Sequence, residues 1–182
     1  MSSSSPTLYT LGHSTRTLEE FLDILSEHKI KLLVDVRTVP RSRRVPQFNT
    51  ENLSKSLPRH HIQYLHLPAL GGLRKARRDS LNTGWRNQSF RGYADYMQTP
   101  KFEEGLNELM KLASKKTAAI MCAEAVPWRC HRSLIADAML IRGWKVLDLF
   151  SATSAKPHKL TDFAKVEGIQ LTYPPAQPLL FQ

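Results

Sequence analysis

The chain has 182 residues, of which 41% are apolar, and it carries a formal net charge of +10, which suits one domain with a hydrophobic core. The serine-rich start lacks the apolar stretch of a signal peptide, and no apolar run is long enough to cross a bilayer. Two cysteines do not make a disulfide framework, so we expect a protein of the reducing cytoplasm, without contact to a membrane.

Short apolar segments alternate with amphipathic ones along most of the chain. We predict strands at residues 8–12, 31–36, 62–67, 117–122, 145–150 and 169–173. The expected helices cover residues 17–28, where Thr17 opens a capping box, and residues 49–58, 100–114, 130–143 and 160–166. This alternation predicts a three-layer, Rossmann-like α/β domain with a mainly parallel sheet. We assign the domain to residues 1–176, with a disordered start at 1–6 and an exposed peptide at 177–182.

The excess positive charge lies in the central part of the chain. Residues 37–91 contain twelve Lys or Arg and two acids, whereas the remainder has fourteen of each. Two basic segments, residues 37–44 and 72–93, carry most of this charge, and the second lies within a long loop insertion at about 68–99 that we expect to have little structure of its own. Basic segments with interleaved aromatic rings suit a phosphodiester backbone and its bases. We therefore assign nucleic-acid contacts to Arg41, Arg43, Arg44, Lys75, Arg77, Arg78, Arg86, Arg91 and Trp85. A solvated basic surface with ordinary packing aromatics is the alternative.

Polar residues follow the predicted strands at the points where the strands end. Because the carboxyl ends of parallel strands meet at one edge of a sheet, we expect these residues to share a pocket. The helix that begins near Cys130 would point its free amide groups at the same place and favour an anion there. We assign substrate or phosphate binding to Arg132, Arg37, Ser14, Asp35, Ser42, Tyr64, His66, Gly71, Gly72, Arg74, Tyr93, Cys122 and Cys130.

Several reactions fit such a pocket. Glu124, His131 and His13 could perform general acid–base catalysis on a phosphorylated or glycosidic substrate. Cys130 at a helix start, or Cys122 at a strand end, could act as a nucleophile. The spacing C-x7-C-H matches no standard zinc site, so we expect no metal and no cofactor. If the protein is an enzyme, we favour a hydrolase that uses acid–base residues over a cysteine enzyme.

Five motifs resemble the bacterial and archaeal family called domain of unknown function 488. They are LGHS (11–14), VDVRTVPRSR (34–43), YLHLPALGG (64–72), CAE (122–124) and CHRS (130–133). The resemblance implies an α/β fold with a pocket where the motifs meet, and it implies no reaction. The segment LLVDVR and the later strand–Cys–loop–Arg-Ser–helix are also similar to rhodanese sulfurtransferases and cysteine phosphatases. Here Arg132 follows Cys122 by ten residues and Cys130 by two, and neither interval predicts the tight anion loop of those enzymes.

The end of the chain carries a separate pattern, Gln177-Pro-Leu-Leu180-Phe181. It looks like the peptide by which bacterial DNA polymerases and repair proteins bind the sliding clamp, so Gln177, Leu180 and Phe181 are assigned to such a partner. The alternative is a tail that packs back on the domain.

The sequence as a whole predicts a protein that binds or processes nucleic acid, DNA in the first place, in repair or replication. Two other classes stay open. One is a small-molecule enzyme, acting by sulfur transfer or by hydrolysis of a nucleotide or sugar phosphate. The other is a non-catalytic, clamp-associated module.

Overall fold

The computed structural model describes residues 5–175. Its strands are β1 (Thr7–Gly12), β2 (Leu32–Asp35), β3 (Gln63–His66), β4 (Ala118–Cys122), β5 (Lys145–Ser151), β6 (Ser154–Pro157), β7 (Lys165–Glu167) and β8 (Gln170–Thr172). Its α-helices are α1 (Leu18–Glu27), α2 (Thr50–Ser56), α3 (Gln88–Tyr96), α4 (Pro100–Ala113) and α5 (Arg132–Leu140). None of the helices within residues 5–175 is both long and apolar enough to cross a membrane.

Six strands form the central sheet in the order β3-β2-β4-β1-β5-β6. All neighbours in it are parallel except β5 and β6, which form an antiparallel pair. The chain runs from β1 outward to β2 and β3 and then returns to insert β4 beside β1. The carboxyl ends of β2, β4 and β1 are therefore neighbours, which is where open α/β sheets bind ligands.

Helices cover both faces of the sheet. Alternate residues of a strand point to opposite faces, and in β4 Ala118 and Ile120 pack in one core with side chains of α3, α4 and α5. Ala119 and Met121 pack in a second core with side chains of α1 and α2. All four residues are fully buried. This arrangement confirms the predicted three-layer α/β fold with a mainly parallel sheet.

Two helix starts form as the sequence predicts. The Thr17 hydroxyl accepts from the N–H of Glu20 at 3.1 Å, while the Glu20 carboxylate accepts from the N–H of Thr17 at 2.8 Å, which completes the capping box of α1. The Thr99 hydroxyl caps α4, whose first residue is Pro100.

The structure differs from the sequence prediction in the long insertion and near the end of the described chain. The insertion contains α3, which Asn87 caps by accepting from the N–H of Ser89 at 2.8 Å. The predicted helix at 160–166 does not form. Instead, Thr161 donates twice to Asp137 of α5, and Gly168, with φ of 63°, turns the chain into the β7–β8 hairpin. β8 therefore pairs with β7 and not with the central sheet, and β6 was not predicted.

Candidate functional site

The ends of three strands are joined by backbone hydrogen bonds at the candidate site. The N–H of His13, which follows β1, donates to the carbonyl of Cys122 at 3.0 Å. The N–H of Val36, which follows β2, donates to the carbonyl of Met121 at 3.0 Å. The structure thus brings together the polar residues that the sequence places after these strands.

A buried ion pair lies at this edge. The Nε of Arg37 is 2.9 Å from Oδ1 of Asp35, and the guanidinium also donates to the carbonyl of Phe48 at 2.7 Å. The Tyr64 hydroxyl donates to Oδ2 of Asp35 at 2.7 Å, and burial raises the pKa of this phenol, so it stays protonated. Asp35 is fully buried and Arg37 is 7% exposed. Asp35 therefore orients Arg37, and the protein itself satisfies both of its carboxylate oxygens.

His13 is a neutral imidazole with both ring nitrogens engaged. Its Nε2 lies 3.2 Å from Nη1 of Arg37, and because a guanidinium only donates, Nε2 accepts. The proton is then on Nδ1, which donates to the carbonyl of Ser14 at 2.8 Å. Burial lowers the pKa of His13 to about 4 despite that hydrogen bond. His13 therefore positions Arg37, and at neutral pH it brings no positive charge of its own.

His131 is fixed in a similar way at the start of α5. Its Nε2 donates to the carbonyl of Val36 at 2.8 Å, and its Nδ1 lies 3.5 Å from the Cys130 sulfur. Burial lowers the pKa of His131 to about 4. A Cβ atom at Gly72 would lie 2.9 Å from Nδ1 of His131, so this close approach requires glycine. The ring of Tyr93 packs on the other side, with centroids 4.9 Å apart.

Arg132 is fully buried, and its guanidinium donates to four protein acceptors. Nη1 donates to the Cys122 sulfur at 2.9 Å and to the Glu124 carbonyl at 2.8 Å, while Nη2 donates to the Ala125 carbonyl at 3.2 Å. The sequence assigned this residue to anion binding, but its guanidinium holds the loop after β4. The Arg132–Cys122 contact is also one that the ten-residue spacing did not predict.

The two cysteines have different acidities. Burial raises the pKa of Cys122, but a hydrogen bond with Cys130 and the charge of Arg132 outweigh it and lower the pKa to about 7. Burial raises the pKa of Cys130 well above its ordinary value. Cys122 has the acidity of an activated thiol, yet it is only 2% exposed, so a substrate could not reach it without a rearrangement.

A buried polar network, which sequence reasoning missed, continues from Arg132 away from the basic loops. Nε of Arg132 donates to the Thr10 hydroxyl at 3.3 Å, which donates to Asp148 at 2.6 Å. Asp148 and Asp137 each lie 2.9 Å from one ring nitrogen of His158. Burial lowers the pKa of His158, but the two carboxylates outweigh it and raise the pKa to about 9, so the ring is cationic. The signal in the sequence was Asp148, an acid inside an otherwise apolar strand, which needs a buried partner.

Glu124 differs from the other predicted catalytic residues because its side chain is exposed. That side chain forms no hydrogen bond or ion pair with residues 5–175, whereas the backbone carbonyl of Glu124 accepts from Arg132 and from the Cys122 thiol. Its assignment as an acid–base group stays a prediction.

The two basic segments meet at the same sheet edge. The Thr38 hydroxyl, which follows β2, donates to the carbonyl of Gly72 at 2.8 Å. His66 at the end of β3 bonds through Nε2 to the carbonyl of Arg37 at 2.7 Å. Loops that are far apart in the sequence are thus tied side by side.

The exposed basic side chains of these segments fall into two groups. Arg41 pairs with Glu51 and Arg77 pairs with Asp79, both at the surface. The other group is exposed and has no ion pair with any of residues 5–175: Arg43, Arg44, Lys75, Arg78 and Arg86.

Several residues assigned to ligands or nucleic acid form contacts that hold the loops, and their assignment stays a prediction. Tyr93 is 1% exposed and donates to the Leu70 carbonyl at 2.8 Å. Trp85 is half-buried, and its ring stacks on Phe90 with centroids 4.7 Å apart. Similar local hydrogen bonds engage the Ser42 hydroxyl, which accepts from two backbone N–H groups, and the guanidinium groups of Arg74 and Arg91, which donate to backbone carbonyls. Gly71, packed against Thr38, leaves no room for a Cβ atom. The predicted clamp peptide, Gln177, Leu180 and Phe181, lies outside the described residues.

A comparison with protein families gives a match. A family model described as "Domain of unknown function DUF488" matches residues 17–139, which is more than half of the chain. The matched range includes the basic segments and most of the site, from Asp35 to Arg132. No curated protein matches the chain.

Proposed function

The chain belongs to the DUF488 family, and from that premise we propose that it binds nucleic acid along the carboxyl edge of its sheet. One observation carries the proposal. The two basic segments that hold nearly all of the excess charge are joined at this edge by the Thr38–Gly72 hydrogen bond. Exposed cations without acid partners release counterions when they meet phosphates, and this release drives sequence-independent binding.

The buried cluster of Asp35, Arg37 and His13 gives this surface a rigid support. Arg37 is locked by Asp35 and His13, and its backbone carbonyl holds His66, so the loop that carries Arg43 and Arg44 starts from a rigid point. A rigid base lowers the entropy that the loops lose when they contact a phosphate backbone.

We also propose that Glu124 is the acid–base group if the bound strand is processed, and that the peptide with Gln177, Leu180 and Phe181 docks on a sliding clamp. What supports the first is the position of an exposed carboxylate at the same edge. The sequence pattern supports the second.

The proposal is tested by removing four of the unpaired cations. In R43Q/R44Q/K75Q/R78Q we expect the affinity for a labelled 20-base-pair DNA duplex, measured by fluorescence anisotropy, to fall at least about tenfold at low salt. The slope of log K against log salt should become shallower by about three to four, because each lost phosphate contact removes about 0.9.

The matched control removes four exposed lysines at the opposite edge, K31Q/K115Q/K116Q/K145Q, and it has the same net charge as the test variant. We expect the control to bind like the wild type. Equal losses in both variants would show a mere net-charge effect, and a wild type that does not bind DNA or RNA at 20 mM salt would refute the proposal.

E124Q should bind DNA normally and lose any strand processing. A chain that ends at Ala176 should bind DNA normally and lose binding to the clamp.

A further inference from the structure

A cavity of about 520 Å³ lies beside the site, on the β5–β6 side of the sheet. Its walls come from the loop after β4, the end of β5, the strand β6 and residues 158–163. Its volume lies within the range of small-molecule sites, which bury most of a ligand against apolar walls with a few polar groups. None of the predicted site residues lines it except Trp85.

Aromatic rings dominate the cavity. Trp128 is 64% exposed, although it is the largest apolar side chain type, and it lies 6.2 Å from the ring of Phe150 at a tilt of 38°. Trp85 and Phe163 form a further part of the wall, packed edge to face at 4.9 Å. A flat, open indole over other aromatic rings is the kind of surface on which nucleic-acid bases stack.

Two exposed lysines of the cavity wall could hold the anionic group of a planar ligand. Lys156 and Lys159 are exposed, and neither has an ion pair among residues 5–175; the Lys156 ammonium lies 5.5 Å from the centre of the Phe150 ring. His158 adds no free charge, because Asp137 and Asp148 occupy both of its nitrogens. Asp162 is the exposed acid of the wall, and its carboxylate could accept from an exocyclic amino group of a base.

We propose that this cavity binds one unpaired nucleotide, with the base against Trp128 and the phosphate at Lys156 and Lys159. The inference rests on the proposed function for the choice of a nucleotide, because the walls alone specify a planar ring with an anionic group. A nucleotide site in this cavity would make the protein prefer single-stranded over duplex DNA. The loop after β4 contributes both Trp128 to the cavity and Glu124 to the site, so the two are continuous along the sheet edge.

The test uses AMP and labelled DNA with the full chain. AMP should quench the tryptophan fluorescence of the wild type with a saturable curve. In W128A and in K156Q/K159Q the AMP affinity should fall by about 5-fold to about 150-fold, the range for loss of one stacked base. The affinity for a 12-nucleotide single strand should fall to a similar extent in W128A, while duplex affinity stays unchanged. I169A, which truncates another exposed apolar side chain on the β7–β8 hairpin, is the matched control.

The outcomes separate this inference from the proposed function. No AMP binding at millimolar concentration, or equal AMP affinity of W128A and the wild type, would overturn the cavity as a nucleotide site, whatever the basic loops do. AMP binding that depends on Trp128 in a protein that binds no DNA would refute the proposed function and leave a site for free nucleotides. R43Q/R44Q/K75Q/R78Q should keep AMP binding and lose duplex binding.

Discussion

Arg132 is a buried cation that is surrounded by two carbonyls, a hydroxyl and the Cys122 sulfur. The sequence showed a basic residue at a helix start and predicted an anion fork. It could not show that the sulfur at the end of β4 and two carbonyls of the loop that follows would engage the guanidinium. The residue types at the carboxyl edge of the sheet were predictable, because the apolar runs in the sequence indicate where the strands end. Which side chains stay free depends on contacts between residues as far apart as Thr10 and Asp148, and no local pattern encodes those.

We expect R132M to be strongly destabilised. Methionine fills much of the space but leaves the Ala125 carbonyl without this donor and the Glu124 carbonyl with only the Cys122 thiol, and each lost hydrogen bond costs about 1–3 kcal/mol. The free energy of unfolding, measured in urea, should fall by about 2–4 kcal/mol. R129M changes an exposed arginine in the same loop and should stay within about 0.5 kcal/mol of the wild type. If R132M were as stable as the wild type but lost DNA binding, the result would support the role that the sequence predicts for Arg132, in which its guanidinium binds an anion.

Among the helices and strands, long segments with a regular apolar pattern were predictable from the sequence. Short segments that are held by distant hydrogen bonds were not. The capping box of α1 and the apolar run of β4 are local signals, and both elements form where expected. The segment 160–166 has apolar residues at helical spacing, yet its backbone and side-chain donors bond to Asp137 across the fold. Helix α3 was missed because its sequence, QSFRGYADY, has a glycine inside and few strong helix formers.

Helix α3 also anchors the second basic segment. Asp95 is 4% exposed and accepts from the Arg77 N–H and from the Asn82 side chain, both at 2.7 Å. The Asn82 side chain in turn accepts from the N–H of Tyr173 at 2.9 Å. In D95A we expect hydrogen exchange of residues 76–86 to become about tenfold faster or more, because the buried network loses its central acceptor. D79N breaks only a surface ion pair of Arg77 and should leave this exchange unchanged. Unchanged exchange in D95A would show that α3 does not hold the segment.

The buried histidines of the molecule favour a stability maximum near pH 6.5, because their pKa values are shifted in opposite directions, while the lowered pKa of the Cys122 thiol opposes the effect of His158 above about pH 7. Burial lowers the pKa of His13 and His131 to about 4, so between pH 6.5 and pH 4 only the unfolded chain takes up their protons, and stability falls on acidification. The carboxylates raise the pKa of His158 to about 9, so between pH 6.5 and pH 9 only the native state keeps that proton, and stability falls as the pH rises.

Urea unfolding at pH 5.0, 6.5 and 8.5 measures this dependence. Each proton bound by one state alone contributes a slope of about 1.4 kcal/mol per pH unit. H158Q should lose the decline above pH 6.5 and keep the decline below it. A decline above pH 6.5 that persists in H158Q would assign it to another group.

The position of β1 in the sheet has a consequence for synthesis. β1 pairs only with β4 and β5, although it is the first strand of the chain, and β4 begins at Ala118. A ribosome that adds about 5–20 residues per second leaves both edges of β1 unpaired for roughly 5–20 s. During this time the apolar strand TLYTLG is open to wrong partners, so its protection in the cell depends on chaperones or on rapid docking of α1. The edge that would hold nucleic acid is thus completed only after most of the chain has been made.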